Sequence, residues 1–455
     1  MNRFRSKNIF FEVFNDLSVF EGKNINYFRV LQSSLLSEYG TRQKKASNFF
    51  NHKKVSLIAY FTVKNLFIKG KPVSKNNANF LLEASPRLNL IGTEWKSPYI
   101  DKWIKKLEKK NCHIHFLDIQ PNQQFEVDST KKTLSNLKID FDNFYWELFL
   151  ELKTIIIKIE KLNKLSQTEL ENVITGFEFF YKDFVRYDSF YKKFKNLKKI
   201  FIYPAYQKEA IVLAANLNNI EVVELQHGII GSDSRFYQYP KQVSLVKAKS
   251  LLPNKIYVWG DYWKNILLKG YEFEPNQIEV VGDFIFRKPV IKKEKQNVLL
   301  ISVNKYMQEV FIPYIKKQLF FLNRNHNDWK ILLKLHPGDK LNYMYVDEFQ
   351  DKPFIDISKQ TDTIEDCISI AKIQVSAFSM VIFEALDLVK ANYIVNDFSS
   401  VTSDIDEFEG FQKEMVEEGI AKMINRDEDI ITHYLTNKDL FLPKRDIVFK
   451  PFSKE

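Results

Sequence analysis

Between positions 198 and 283 the hydrophobic pattern alternates between short continuous apolar runs and helical spacing. The run KIFIYP (199–204) reads as a buried strand, 206–219 as a helix, and IEVVELQ (220–226) as a second strand. The cycle then repeats: KIYVWG (255–260) is strand-like, a helix runs from Asp261 to its closing Gly270, and QIEVVGD (277–283) returns to strand. Strands alternating with helices in this way build parallel sheets covered on both faces.

The pattern breaks at 284–296, where Lys and Arg residues gather around Pro289 and periodicity is lost, as in a solvated linker. Beyond it come strand 297–302, helix 306–322, strand 329–337, strand 353–358, helix 362–371, strand 373–377, helix 379–388 and strand 391–396. This is a second doubly wound unit. Asp362 with Glu365 three residues later reads as a capping box for the helix there. The expected organisation is an N-terminal domain over 1–285 with a helical N-terminal elaboration, a linker over 286–296, and a C-terminal domain over 297–430. A final segment, 431–455, is expected to pack back on the first domain. The expected fold class is α/β, with two Rossmann-like domains facing a central cleft.

Ahead of the first unit, Phe177, Tyr181, Phe184, Tyr187, Tyr191 and Phe194 recur at helical spacing, with Lys182, Arg186, Lys192, Lys193 and Lys195 between them. Two readings follow: the aromatic stripe packs on the sheet while the lysines face solvent, or the helix lies on a membrane surface.

Composition narrows the class. With 455 residues, the chain exceeds the roughly 250–300 at which a single core stops growing. At 45% hydrophobic and 27% charged residues, with 40 Phe and 21 Tyr, it is globular and not a disordered tail. Two cysteines, Cys112 and Cys367, build no disulfide framework and fit a reducing compartment. The net charge of +10 favours anionic partners without choosing among nucleic acid, lipid headgroups and nucleotide-linked substrates. Glu12 and Asp16 interrupt the apolar start, so no signal peptide is expected. The uncharged run from Val55 to Val63 is far shorter than a membrane span.

Candidate chemistry falls at the carboxyl ends of the expected strands, where α/β sheets bind ligands. Gln226, His227 and Gly228 follow the first domain's second strand, and Gly228 and Gly231 there are expected to allow unusual backbone angles and close approach by substrate. An imidazole suits proton transfer near neutral pH, so His227 is the candidate base. His336, Pro337 and Gly338 end strand 329–337, with Lys334 two residues earlier on the same face; His336 is placed to donate to a phosphate oxygen. Ser376 and Ser379 open a helix whose free N–H groups suit an anion, and Glu384 lies further along it, where a carboxylate accepts from ribose hydroxyls. Ser302, Asn304 and Lys305 form a further polar turn, and Glu94 and Asp101 are lower-ranked catalytic carboxylates. Each has a bland counterpart: a braced loop histidine, a capping serine, a solvent-facing glutamate.

Neither G-x-x-x-x-G-K-[ST] nor G-x-G-x-x-G is present, so the phosphate cradles of P-loop and ordinary dinucleotide enzymes are missing. His113 and His115 alternate on the strand-like CHIHFLDI (112–119), but Cys112 points to the other face, and no metal site is expected.

Together, LQHGIIG (225–231), YVWGDYWKNIL (257–267) with IEVVGD (278–283), LLKLHPGD (332–339) and SAFSMVIFEA (376–385) resemble bacterial surface-polysaccharide glycosyltransferases of the GT-B fold, including capsule Kdo and sialic acid transferases and CDP-glycerol glycerophosphotransferases. The resemblance runs from about Lys198 to Asn396, with ASPRLNLIGTEWKSPYID (84–101) also similar. It implies transfer of a sugar from a CMP- or UDP-sugar to a cell-surface polysaccharide or glycolipid. The donor would lie in the C-terminal domain, held by His336 and the serines at its phosphate and by Glu384 at its nucleoside, with His227 at the reacting centre. The short acidic motif ending in Gly that supplies the base in sialyltransferases has no clear counterpart here. The resemblance further implies a cytoplasmic protein, peripheral at an anionic membrane, with a glycan or lipid-linked glycan acceptor, no metal or separate cofactor, and no nucleic-acid partner. The rival readings are a CDP-glycerol-type polyol-phosphate transferase, a sugar-nucleotide 2-epimerase and a non-catalytic basic binding protein.

Overall fold

The computed structural model describes residues 17–36, 48–66, 80–84, 89–91, 94–96, 112–116, 139–193, 196–231, 234, 237, 249–269, 273–283, 294–304, 307–336, 339, 341–359, 362–377, 379–396, 405–437 and 445–451. In chain order the first half carries α1 (Phe28–Leu36), α2 (Lys54–Leu66), β1 (Phe80–Ala84), β2 (Asn89–Ile91), β3 (Glu94–Lys96), β4 (Cys112–Phe116), α3 (Asn143–Leu162), α4 (Gln167–Tyr191), β5 (Lys199–Tyr203), α5 (Glu209–Leu217), β6 (Glu221–Leu225), β7 (Lys255–Val258), α6 (Asp261–Lys269) and β8 (Ile278–Val280). Its parallel sheet has the order β4-β1-β5-β6-β7-β8, with β2 and β3 a separate antiparallel pair.

The second half adds β9 (Gln296–Ser302), α7 (Gln308–Asn325), β10 (Lys330–Lys334), α8 (Tyr343–Phe349), β11 (Ile355–Ile357), α9 (Ile364–Ile370), β12 (Ala371–Ser376), α10 (Met380–Glu384), β13 (Ala391–Asn396), α11 (Ile405–Glu417), β14 (Lys422–Asn425), α12 (Ile430–Thr436) and α13 (Arg445–Val448). Its sheet runs β11-β10-β9-β12-β13-β14, all parallel. Strand order reverses between β9 and β12, the doubly wound arrangement with a switch point at that pair. The chain thus has two parallel-sheet α/β domains. Buried runs such as Leu299–Ile301 and Val222–Leu225 explain the sheets, since strands covered on both faces lose the polar alternation of a half-exposed sheet.

The aromatic stripe of α4 belongs to the core. Phe177, Tyr181, Phe184, Tyr187 and Tyr191 are all buried, and Tyr27 of the entry to α1, Phe49, and Phe149 of α3 pack on them. The intervening cations are paired: Lys182 with Glu178, Arg186 with Asp183 at 3.4 Å, and Lys192 with Asp188 at 2.7 Å. This overturns the membrane-surface reading of the helix, because the apolar face such a role needs is already covered. Phe194 and Lys195 lie outside the described residues.

Two local expectations shift. The capping box of α9 is Thr363 with Asp366, not Asp362 with Glu365: Thr363 Oγ1 accepts from Asp366 N at 3.3 Å and Asp366 Oδ2 from Thr363 N at 3.0 Å. Asp362 instead closes the preceding turn by accepting from Lys359 N at 2.8 Å. The helix expected over 379–388 stops at Glu384, followed by a turn in which Asp387 takes a positive φ of 61°.

One apolar cluster joins the domains. Tyr262 and Trp263 of α6 pack on Phe383 of α10, with ring centroids 5.7 and 4.8 Å apart, and Phe411 of α11 lies beyond. The C-terminal segment crosses back over it. Phe449 packs on Trp259, Trp263 Nε1 donates to Val448 O at 3.0 Å, Lys450 N to Trp259 O at 2.9 Å, and Asp283 N to Lys450 O at 2.8 Å. Aromatic pairs of this kind add about 0.5–1.5 kcal/mol each beyond the area they bury.

Gly260 is where this strap lies closest: a Cβ there would overlap the carbonyl oxygens of Ile447 and Val448, which are backbone and cannot rotate away. Gly260→Ala is expected to lower unfolding free energy by about 1–3 kcal/mol in denaturant titration. Gly228→Ala, whose Cβ meets nothing within 4 Å, serves as the control and is expected to be near neutral.

Candidate functional site

In the C-terminal domain the switch point gathers three of the expected residues. Ser302 ends β9 and Ser376 ends β12; Ser376 Oγ donates to Ser302 O at 2.8 Å and lies 3.2 Å from Asn304 Oδ1. Ser302, Asn304 and Ser376 are all buried, so they bind the two strand ends together beneath the crevice instead of lining its surface. Asn304 at this point turns the chain toward α7; Lys305 lies outside the described residues.

His336 is exposed beyond the end of β10, as expected of a rim residue. Its carbonyl accepts from Asp339 N at 3.1 Å and Asn342 Nδ2 at 2.8 Å. Asp339, buried, accepts from Gln308 Nε2 at 2.7 Å and Leu341 N at 2.9 Å, which ties the loop after β10 to the start of α7. Pro337 and Gly338 lie outside the described residues. Lys334 Nζ donates to Asp362 O at 2.5 Å, so its ammonium holds the turn before α9.

Ser379 caps α10, its Oγ accepting from Val381 N at 3.3 Å, which leaves the hydroxyl proton to donate outward. Glu384 ends that five-residue helix and is half-buried. Met380, next to Ser379, packs into the interdomain cluster together with Tyr206 and Ile229 of the N-terminal domain. The start of α10 and the loop after β6 thus both pack against this one cluster. Further along that loop, a Cβ on Gly231 would sit 3.2 Å from the Phe411 ring of α11.

The loop after β6 is built on a buried amide. Gln226 is fully buried: its Oε1 accepts from Trp259 N at 3.0 Å and its Nε2 donates to Gly228 O at 2.9 Å. Neither Gly228 nor Gly231 has a positive φ, which corrects the expected reason for glycine; close approach by Phe411 explains Gly231, and open space surrounds Gly228. His227 is half-buried. Its Nε2 is hydrogen-bonded to Tyr206 Oη, its carbonyl accepts from Tyr203 Oη at 3.2 Å, and the Tyr203 and Tyr206 rings stand edge-on to the imidazole at 5.7 and 4.9 Å.

Behind His227 lies Glu224, a fully buried carboxyl on β6 that sequence reasoning passed over as part of a strand. It accepts from Tyr237 Oη at 2.8 Å and Ala205 N at 3.2 Å. Burial pushes its pKa up, outweighing the opposing pull of those hydrogen bonds and of the Arg29 and Lys208 charges. Glu209 at the start of α5 behaves alike: burial raises its pKa although Arg29 lies 3.8 Å away and Ser33 Oγ donates at 2.5 Å. Glu94 lies on β3, its backbone opposite Ile91, and Asp101 lies outside the described residues. Among the described residues no cluster of His, Cys, Asp and Glu is arranged to hold a metal ion, and no helix is long and apolar enough to cross a membrane.

The raised carboxyl of Glu224 has a signed consequence. Above the ordinary value of 4.5 the unfolded chain releases this proton while the folded chain holds it, so Glu224 makes stability fall as pH rises through that window. Glu224→Gln is expected to flatten the decline in unfolding free energy above pH 4.5, by at most about 1.4 kcal/mol per pH unit, in urea titrations across the range.

No protein-family profile matches the chain, and no curated protein does. Solved structures are similar at low identity. A Staphylococcus aureus MnaA–UDP complex aligns over 83% of this chain and 93% of its own at 12% identity, TM-score 0.48. The UDP-GlcNAc 2-epimerase of Methanocaldococcus jannaschii aligns over 81% and 95% at 15% identity, TM-score 0.45. Acinetobacter baumannii MurG aligns over 81% and 94% at 10% identity, TM-score 0.40.

Proposed function

We propose that this chain is an enzyme of nucleotide-activated sugars: a transferase that moves the sugar to a growing capsule, lipopolysaccharide or similar cell-surface glycan or glycolipid. The observation that carries the reading is the junction at which Met380, beside the capping Ser379, and Tyr206, bonded to His227, enter one apolar cluster. That cluster takes in residues from the loops after β5 and β6 of one domain and from α10, which follows β12, of the other; doubly wound sheets take nucleotides at such strand ends.

In this reading the donor nucleotide lies over the β9/β12 crevice. His336 and Ser379 donate hydrogen bonds to its phosphate, and Glu384 accepts from the ribose. As the sugar leaves, negative charge builds on the phosphate, and preoriented donors stabilise that charge more than the ground state. His227 serves the acceptor side, taking up the proton that the attacking hydroxyl gives away. Ser302, Asn304, Ser376 and Gln226 hold the loops that carry these groups.

A thermal-shift screen of UDP, CMP and GDP, followed by mass spectrometry of products from the matching sugars and from CDP-glycerol, tests the reading. One nucleotide is expected to stabilise the protein. His336→Ala should weaken its binding about tenfold, or about 1.4 kcal/mol. His227→Ala should spare binding and lower turnover roughly 10²-fold or more. Epimerised free nucleotide sugar without acceptor product, or transfer of glycerol phosphate, would overturn sugar transfer.

A further inference from the structure

The histidine at the proposed reacting centre does not present its ring to the junction alone. His227 Nδ1 is buried, and Nε2 is covered by the Tyr206 hydroxyl. Tyr206 is half-buried and packs against the apolar cluster that also takes in Ile229 and Met380. Its position is fixed from behind. Tyr237 stands perpendicular to the Tyr206 ring, 6.0 Å between centroids, and Tyr237 is in turn anchored on the buried Glu224, which also holds the backbone of Ala205, the neighbour of Tyr206.

With Nδ1 buried, the ring nitrogen through which His227 can exchange a proton is the one hydrogen-bonded to the phenol oxygen. We propose that Tyr206 is the catalytic residue that touches the acceptor hydroxyl, and that it passes the proton on to His227. The inference rests on the sugar-transfer reading. The acceptor O–H bond breaks and its proton goes to Tyr206 Oη, as the phenol proton moves to His227 Nε2 and leaves an imidazolium. The freed electron pair of the acceptor oxygen forms the new bond to the anomeric carbon. The bond from that carbon to the donor phosphate oxygen breaks, and its pair departs with the nucleotide. Tyrosine regains neutrality within the step, so the phenol never has to exist as a free phenolate, which its ordinary pKa of about 10 would make costly. Two groups hydrogen-bonded in series, with the outer one at the substrate, follow the nucleophile–base–orienter logic of acid–base catalysis.

The test has two arms on the full-length chain. In the first, imidazole-¹⁵N-labelled wild type and Tyr206→Phe are compared by long-range ¹H–¹⁵N spectra, with the His227 signals assigned from their loss in His227→Gln. The Nε2 resonance is expected to move when the phenol oxygen is removed; an unmoved resonance overturns the pairing, and this readout needs no substrate. In the second, the donor identified by the nucleotide screen is used with its acceptor. Tyr206→Phe is expected to lower kcat roughly 10²-fold while the donor KM stays within about twofold. Tyr206→Phe/His227→Gln should be no slower than the worse single variant, as for residues acting as a unit. The solvent-isotope proton inventory should change from curved in the wild type to linear in Tyr206→Phe. Turnover of Tyr206→Phe near that of the wild type, or fully additive losses, overturns the relay. Absence of any transfer by the wild type overturns the underlying reading instead, and with it the step assigned to Tyr206, whatever the spectra show.

Discussion

The aromatic joint between the two domains is the constraint on which the candidate site depends. Trp259, Tyr262 and Trp263 on one side and Phe383, Phe411 and Phe449 on the other are withdrawn from water together. Domains joined through small polar contacts move relative to each other by default; a large apolar joint, crossed a second time by the returning C-terminal segment, resists that motion. The same cluster takes in Tyr206, Ile229 and Met380, which sit beside His227 and Ser379. The cluster that joins the two domains thus also takes in neighbours of the residues proposed to act on the two substrates.

A polar framework complements it. Parallel strands end in carbonyls and N–H groups with no ladder partner, and where such an end is buried something must satisfy them. Gln226, Ser376 and Gln412 do this at the ends of β7, β9, β12 and β13: Gln412 Nε2, for instance, donates to Ala377 O at 2.9 Å and Val395 O at 3.2 Å. Polar residues at strand termini thus divide into those consumed by the backbone and those left facing outward. Ser376 and Lys334 fall in the first group and the exposed His336 in the second, while the Oγ of Ser379 is partly taken up by the backbone, accepting from Val381 N. The division follows from burial, which a sequence position alone does not reveal.

Strands buried on both faces were legible as continuous apolar runs, as at Val298–Ile301 and Ile256–Val258, whereas β1 (Phe80–Ala84) and β14 (Lys422–Asn425) went unread. Helix ends were less so. Asp362 and Thr363 are both good caps, and only the extended backbone of Thr363 with its reciprocal bonds to Asp366 decides between them. The α4 stripe carried the same amphipathic signature that a surface helix would, and only its neighbours α1 and α3 distinguish core from interface. His227 stood out because a histidine followed by glycine interrupts an apolar run. Tyr206, Glu224, Tyr237 and Gln308 did not, since each gains its meaning from a partner that folding brings from a different loop or strand.

Buried charge sharpens the distinction between structure and function in the N-terminal domain. A carboxyl withdrawn from water costs stability unless its partners compensate, and for both Glu209 and Glu224 burial wins over the compensation, as their raised pKa values record. Apolar residues of similar size would serve the core better. Yet both carboxyls lie around the loop after β5, one holding the backbone of Gln207 and the other that of Ala205, on either side of Tyr206. Two buried carboxyls thus fix the backbone on either side of the phenol that is hydrogen-bonded to His227, and perturbed titratable groups of this kind gather where stability yields to chemistry.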